Sequence, residues 1–191
     1  MGARTLLLGS LALAVTGGCA QDATPPAAET PRPDASGATS PAAPAPIPRA
    51  SMERGRVAFV SDGDTIGVRL GMTMRRVRLL GIDAPETKDP NRPVACFGPQ
   101  ASARATGLLP RGTVVTLVTD PTQDRIDRYG RLLAYVFRRG ETRPVNERLL
   151  ADGAARVYVY RKRPFRRLAA FRLAEREAMS AGRGLWGACP R

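Results

Sequence analysis

Arg56-Val57-Ala58-Phe59-Val60-Ser61-Asp62-Gly63-Asp64-Thr65-Ile66-Gly67-Val68-Arg69-Leu70 is the stretch from which the fold is read. Ile66, Val68 and Leu70 alternate with Gly67 and Arg69, the period of two that gives a strand one apolar face. Ser61-Asp62-Gly63-Asp64 supplies the turn chemistry that joins two such strands into a β-hairpin. Taken alone, Asp62-Gly63-Asp64 is a plain turn. A second turn near Gly71 leads to another strand over 76–82, which ends at Asp83-Ala84-Pro85-Glu86 because proline cannot continue the ladder. Arg78 and Asp83 stand five apart, so an ideal strand would point them to opposite faces. A bend is expected between them, at Gly81.

Further along, a polar loop over 87–94 precedes a helix over 98–109, with Pro99 in its first turn. Strands are expected over 113–118 and 132–137, with a turn-rich connection over 120–131. Helices follow over 145–151 and 164–180, where Leu168, Phe171 and Ala178 share one face. The pattern is a β-rich α+β domain of five short strands with about three helices and no internal repeat.

Charge narrows the partner. Residues 1–51 are neutral overall, with Arg4, Arg32 and Arg49 against Asp22, Glu29 and Asp34, so the net charge of +13 falls on residues 52–191. Lys88 and Lys162 are the only lysines, so 28 of the 30 cations are arginines, whose planar fork suits phosphate. An anionic partner is implied. Histidine is absent, which excludes Ser-His-Asp and Cys-His hydrolases and His-ligated zinc. Chemistry here must rest on carboxylates, arginines, tyrosines or a hard cation held by oxygen.

The chain divides into residues 1–19, 20–51 and 52–191. Arg4 and the short apolar run after it read as a signal peptide, too short to span a membrane. Thr16-Gly17-Gly18-Cys19-Ala20 is similar to a lipoprotein cleavage site, making Cys19 a candidate for lipidation, with ordinary signal-peptide cleavage as the other reading. Residues 20–50 hold ten Ala and eight Pro with no aromatic residue, a tether that cannot build a core. Export, to the cell surface as a lipoprotein, the periplasm or the medium, is therefore expected. The membrane is then a partner only through the N-terminal anchor, and a monomer is the default. Export also leaves Cys96 and Cys189 as an even pair in an oxidising compartment, either bonded or free.

Three segments carry the chemistry: Asp62-Gly63-Asp64-Thr65, then residues 78–86, then Asp127-Arg128-Tyr129-Gly130-Arg131. In this order and spacing they resemble the staphylococcal nuclease (thermonuclease) family. Residues 97–102, Leu133-Ala134-Tyr135, Val145-Asn146-Glu147 and Leu185-Trp186 extend the likeness over nearly all of 56–187. The resemblance implies a five-stranded barrel of the oligonucleotide-binding (OB) type, and calcium-dependent hydrolysis of DNA and RNA that leaves 3′-phosphates. It implies Asp64, Asp83 and the backbone carbonyl of Ala84 as metal ligands, although a threonine is usual at that third position. By the same resemblance Glu86 would be the general base and Arg78 and Arg131 the phosphate-binding arginines. Asp127, Arg128, Tyr129, Tyr158 and Tyr160 would contact nucleotide, the tyrosines by stacking or by a phosphate hydrogen bond.

Elementary chemistry asks for the same groups. A phosphodiester is already an anion, so a nucleophile needs positive charge beside it before it can approach. Calcium accepts oxygen ligands in irregular geometry. Without histidine, a carboxylate is the natural acceptor for a proton from water. The basic run Arg161, Lys162, Arg163, Arg166 and Arg167 reads as a solvated face that adds salt-sensitive affinity for a polyanion. A catalytically inactive OB-type nucleic-acid-binding module is the alternative. A peripheral protein whose arginines bind anionic lipid or wall polymer is a third reading, which would not require Asp64, Asp83 and Glu86 to coexist.

Overall fold

A computed structural model describes residues 50–87 and 93–190. The expected signal peptide, Cys19 and nearly all of the tether lie outside the described residues. Five strands, β1 (Met52–Asp62), β2 (Thr65–Leu70), β3 (Thr73–Leu79), β5 (Val114–Val118) and β6 (Leu132–Arg138), close into a barrel in the order β1-β2-β3-β6-β5. All pairings are antiparallel except β3 with β6. Closure leaves no barrel edge for another chain to pair with. The sequence alternation puts Val57, Ile66, Val68, Val77, Leu79, Val115, Leu117, Ala134 and Val136 inside, all buried.

Two further strands, β4 (Ile82–Asp83) and β7 (Arg156–Val157), form a small ribbon outside the barrel. The expected strand over 76–82 is thus cut in two. Gly81 makes the break with φ +78°, a conformation that glycine adopts without strain. A Cβ there would also meet the Phe165 ring at 2.6 Å. The bend turns Asp83 back toward Arg78.

Helices α1 (Gly98–Leu108), α2 (Val145–Ala151) and α3 (Leu168–Ser180) pack on the barrel, and a one-turn α4 (Leu185–Ala188) follows. Ala101, Ala105 and Leu108 form the buried stripe of α1, and Phe171, Ala174 and Ala178 that of α3. Helix α3 starts four residues later than its periodicity suggests, because residues 164–167 turn to seat Phe165 in the core and to aim the Arg166 amide at Asp120. A helix of four residues is too short to show a period, so α4 had no signal of its own.

One buried polar residue sets the position of the site-bearing strands. Asn146 on α2 accepts from the Val136 amide (2.9 Å) and donates to the carbonyls of Leu80 (2.9 Å) and Ala134 (3.2 Å). It therefore joins β6 to the end of β3, on either side of the cluster described next. Buried polar atoms satisfied in this way hold backbones in one register.

Candidate active site

Asp64 sits at the tip of the first hairpin and is 5% exposed. Its Oδ1 accepts from the Thr65 hydroxyl (3.0 Å) and its Oδ2 from the Ala84 amide (2.8 Å). The Leu79 amide donates to its carbonyl at 2.8 Å. The carboxylate is thus locked to the strand end that carries Asp83 and Ala84. Arg78, paired across the ladder with Thr65, bridges both acids. Its Nη1 contacts Asp64 Oδ1, while Nη2 donates to Asp83 Oδ1 at 2.7 Å and to the Ile82 carbonyl at 3.2 Å. Burial pulls the Arg78 pKa down, and the positive Arg131 adds to this; Asp83 and Asp62 act the other way. A guanidinium still stays charged at neutral pH.

Arg131 stands one residue before β6, the strand that pairs with β3. Asp127 holds it in a five-residue loop: Oδ1 accepts from the amides of Tyr129 and Arg131 (both 2.9 Å), and Oδ2 accepts from Arg131 Nε at 2.7 Å. Burial raises the Asp127 pKa, but these bonds outweigh it and hold the group below the usual carboxylate value. Asp127 therefore aims Arg131. Arg131 Nη1 reaches the Thr65 hydroxyl at 3.4 Å, which brings it beside Asp64.

Glu86 follows the short ribbon strand and is exposed. The Thr87 amide donates to its Oε1 at 2.9 Å. Its side chain is also hydrogen-bonded to Asp62, a residue that sequence reasoning took only as part of the turn. Burial, that hydrogen bond and the charge of Glu86 together raise the Asp62 pKa. Two carboxylates within hydrogen-bond reach form a site for one proton. The chain after Glu86 is pinned by the Ala95 amide donating to the Glu86 carbonyl (3.0 Å). Next to it, Cys96 is bonded to Cys189, with Cα atoms 5.9 Å apart.

The tyrosines fall in two places. Tyr129 is 65% exposed, with Arg128 and Arg131 at 4.7 and 5.1 Å from its ring centre. Arg128 also donates to its hydroxyl at 2.6 Å. Tyr158 lies next to the ribbon, its amide donating to the Gly81 carbonyl (3.0 Å), whereas Tyr160 carries Arg161 over its ring at 5.2 Å. Arg156, unassigned from sequence, is the ladder partner of Asp83 and stacks on Trp186 at 4.3 Å. Only strand pairing reveals it. The basic run is not purely a solvated face: Arg167 pairs with Glu147 (3.2 Å) and lies 5.3 Å from the Phe137 ring centre.

The donor set fits a hard cation. Asp64 and Asp83 share one positive group, contacting different nitrogens of Arg78, so both acids border the same guanidinium. Asp62, Asp64, Asp83 and Glu86 present four carboxylates against the guanidiniums of Arg78 and Arg131, so an anionic phosphate would be repelled without further positive charge. Among the described residues no group of three or more His, Cys, Asp or Glu side chains is placed to hold a metal ion, so protein carboxylates alone would not complete a site. Two carboxylates and a carbonyl would leave the remaining coordination positions to water and substrate oxygens.

Comparison with known proteins shows the family. The sequence profile described as staphylococcal nuclease homologue matches residues 76–188, which include Arg78, Asp83, Ala84, Glu86 and Arg131, while Asp64 precedes the matched range. Endonuclease YncB of Bacillus subtilis is 44% identical over 126 residues, covering 65% of this chain and 57% of that protein. The SPbeta prophage-derived endonuclease YokF of the same organism is also 44% identical over 126 residues, covering 65% of this chain and 41% of its own length. Thermonuclease of Staphylococcus hyicus is 35% identical over 131 residues, covering 69% of this chain and 74% of that protein. The chain thus spans about half the length of the two Bacillus relatives. With the profile covering more than half of its residues, and with the barrel and hairpin in place, the chain belongs to the staphylococcal nuclease family.

Proposed function

We propose that this chain is an exported, calcium-dependent nuclease that hydrolyses phosphodiester bonds of DNA and RNA and leaves 3′-phosphates. The observation that carries the proposal is the meeting of Asp64, Asp83, Arg78, Arg131 and the Asp62–Glu86 pair at one end of the barrel. Names of the relatives support it: two are endonucleases and one a thermonuclease. Asp64, Asp83 and the Ala84 carbonyl would hold the calcium, whose charge would polarise a phosphate oxygen and orient the substrate.

The remaining work belongs to side chains. Arg131, aimed by Asp127, and Arg78 take the two non-bridging phosphate oxygens and stabilise the charge that grows on them. Glu86 accepts the proton of an attacking water, and Asp62 is positioned to share that proton. Tyr129, with cations on its ring, offers a nucleotide a face or a hydroxyl. Lipidation at Cys19 would hold the domain at a surface through the Ala/Pro tether.

The test uses the full chain with plasmid and single-stranded DNA, with calcium or with excess chelator, beside Glu86→Gln. Both changes are expected to slow cleavage at least a hundredfold. Degradation that ignores both would reject the mechanism, and tight binding without any cleavage would establish a silent binding module instead.

A further inference from the structure

The outer face of β1-β2-β3 runs directly away from Arg78, and its side chains are arranged in rows by the ladder. Thr65 and Arg78 form the first row, Phe59, Gly67 and Arg76 the second, Arg56, Arg69 and Met74 the third. Val57, Val68 and Val77, the residues between, point into the barrel and are buried. Rows two residues apart are about 7 Å apart, so the third lies about 13 Å from the first.

Two features of this face lack an explanation from packing. Phe59 is 44% exposed on a strand whose inward positions are filled by aliphatics. Its ring lies flat over Gly67: a Cβ at that position would meet ring atoms at 2.3 Å. Glycine in mid-strand costs stability, and here its effect is to let an aromatic plane lie on the sheet. The second feature is charge. Among the described residues, no carboxylate forms an ion pair with Arg54, Arg56, Arg69 or Arg76, although twelve other arginines have such partners or aromatic rings beside them. Past the third row the face dips into a groove of about 410 Å³ lined by Arg54, Arg56 and Arg69.

We infer that this face is a second binding surface for the substrate strand: a single-stranded segment of DNA or RNA leaves the catalytic cluster and crosses β3, β2 and β1. The backbone lies on Arg76, Arg69 and Arg56, and a base stacks on Phe59. The inference rests on the nuclease reading for its direction, because the rows begin at Arg78. A flexible single strand is the polyanion that fits. Its phosphates match cations spaced along strands, and its unpaired bases are free to use an aromatic face that duplex DNA or a lipid headgroup would leave idle. A length of 13 Å corresponds to two to four nucleotides, according to how far the strand is stretched.

The test measures binding by the full chain, in chelator to prevent cleavage, of a labelled thymidine 12-mer and of a dinucleotide over a range of salt. Phe59→Ala and Phe59→Leu should each weaken 12-mer binding about tenfold, with Leu keeping Gly67 covered. Arg69→Gln with Arg76→Gln should weaken it and reduce the slope of log K against log salt by about 1.4, the equivalent of two phosphates. The dinucleotide should be bound alike by all forms. Thermal melting of each variant at the wild-type temperature confirms that the fold is kept. Unchanged 12-mer affinity and slope in the variants would overturn the inference, as would equal losses for the dinucleotide. So would unaltered 12-mer binding with lost binding to phosphatidylglycerol vesicles, which would assign the face to lipid. A wild type that binds through this face but cleaves nothing with calcium would reject the nuclease reading and leave the binding surface standing.

Discussion

Asp64, in the turn between β1 and β2, and Asp120, two residues after β5, are both buried carboxylates, 5% and 3% exposed, yet their partners differ. Asp120 is saturated by neutral donors: the hydroxyls of Tyr135 (2.6 Å) and Thr122 (2.7 Å) and the amides of Thr122 (2.9 Å) and Arg166 (2.8 Å). Burial raises its pKa, but those bonds prevail and hold it below the ordinary value, while the burial of Tyr135 and its bond to Asp120 push that phenol far up. The surroundings are aromatic, with Tyr135, Phe165 and Phe171 in mutual edge contact. Asp64 instead shares the Arg78 guanidinium with a second, exposed carboxylate, Asp83. Burial of an acid therefore does not by itself mark a site. A carboxylate whose partners are all neutral dipoles holds structure, and one that also faces a cation and a second acid is the better candidate for chemistry.

The largest effect expected is on the support of the catalytic corner. The Cys96–Cys189 link closes a loop of 93 residues and anchors the chain just after Glu86. Replacing both cysteines by serine should lower the unfolding free energy by about 4–5 kcal/mol on the chain-entropy estimate, read by urea titration. A loss under about 1 kcal/mol would mean that the corner stands without its cross-link.

Next in size is Asp64→Asn, which should reduce the cleavage rate about a hundredfold or more while leaving the unfolding free energy, read by urea titration, within about 1 kcal/mol of wild type. Asp120→Asn should do the reverse, costing about 2 kcal/mol of stability with the cleavage rate preserved. If the two variants behave alike, the distinction between the corners fails.

The smallest effect is a pH dependence. Because the Asp120 pKa is depressed on folding, its contribution is complete above the ordinary carboxylate value near 3.8 and is lost as pH falls through the depressed one. Acid unfolding of Asp120→Asn should therefore be shallower than that of wild type below pH about 4. Parallel curves would show that Asp120 gains nothing from its charge.

Much of this was legible in the sequence because it is periodic or local. The hairpin, the alternating strands, the Gly81 bend, helix α2 and the face of α3 each need only a few neighbouring residues. Arg78, Asp83 and Glu86 could be singled out because they crowd one nine-residue segment. The parts that were not legible depend on pairings between distant residues. Asp62 stands beside Glu86 only because the hairpin tip meets the chain after the ribbon, and Arg156 faces Asp83 only through β4 and β7. The hold of Asp127 on Arg131 is likewise a matter of hydrogen-bond geometry that residue types do not display.

The central claim is that Asp64 and Asp83 share one divalent ion. Calorimetric titration of calcium into the full chain tests it most directly, with Asp64→Asn and Asp83→Asn beside wild type. The account predicts a single site in wild type, weakened at least tenfold by either substitution. Calcium binding of equal strength in all three proteins would contradict it.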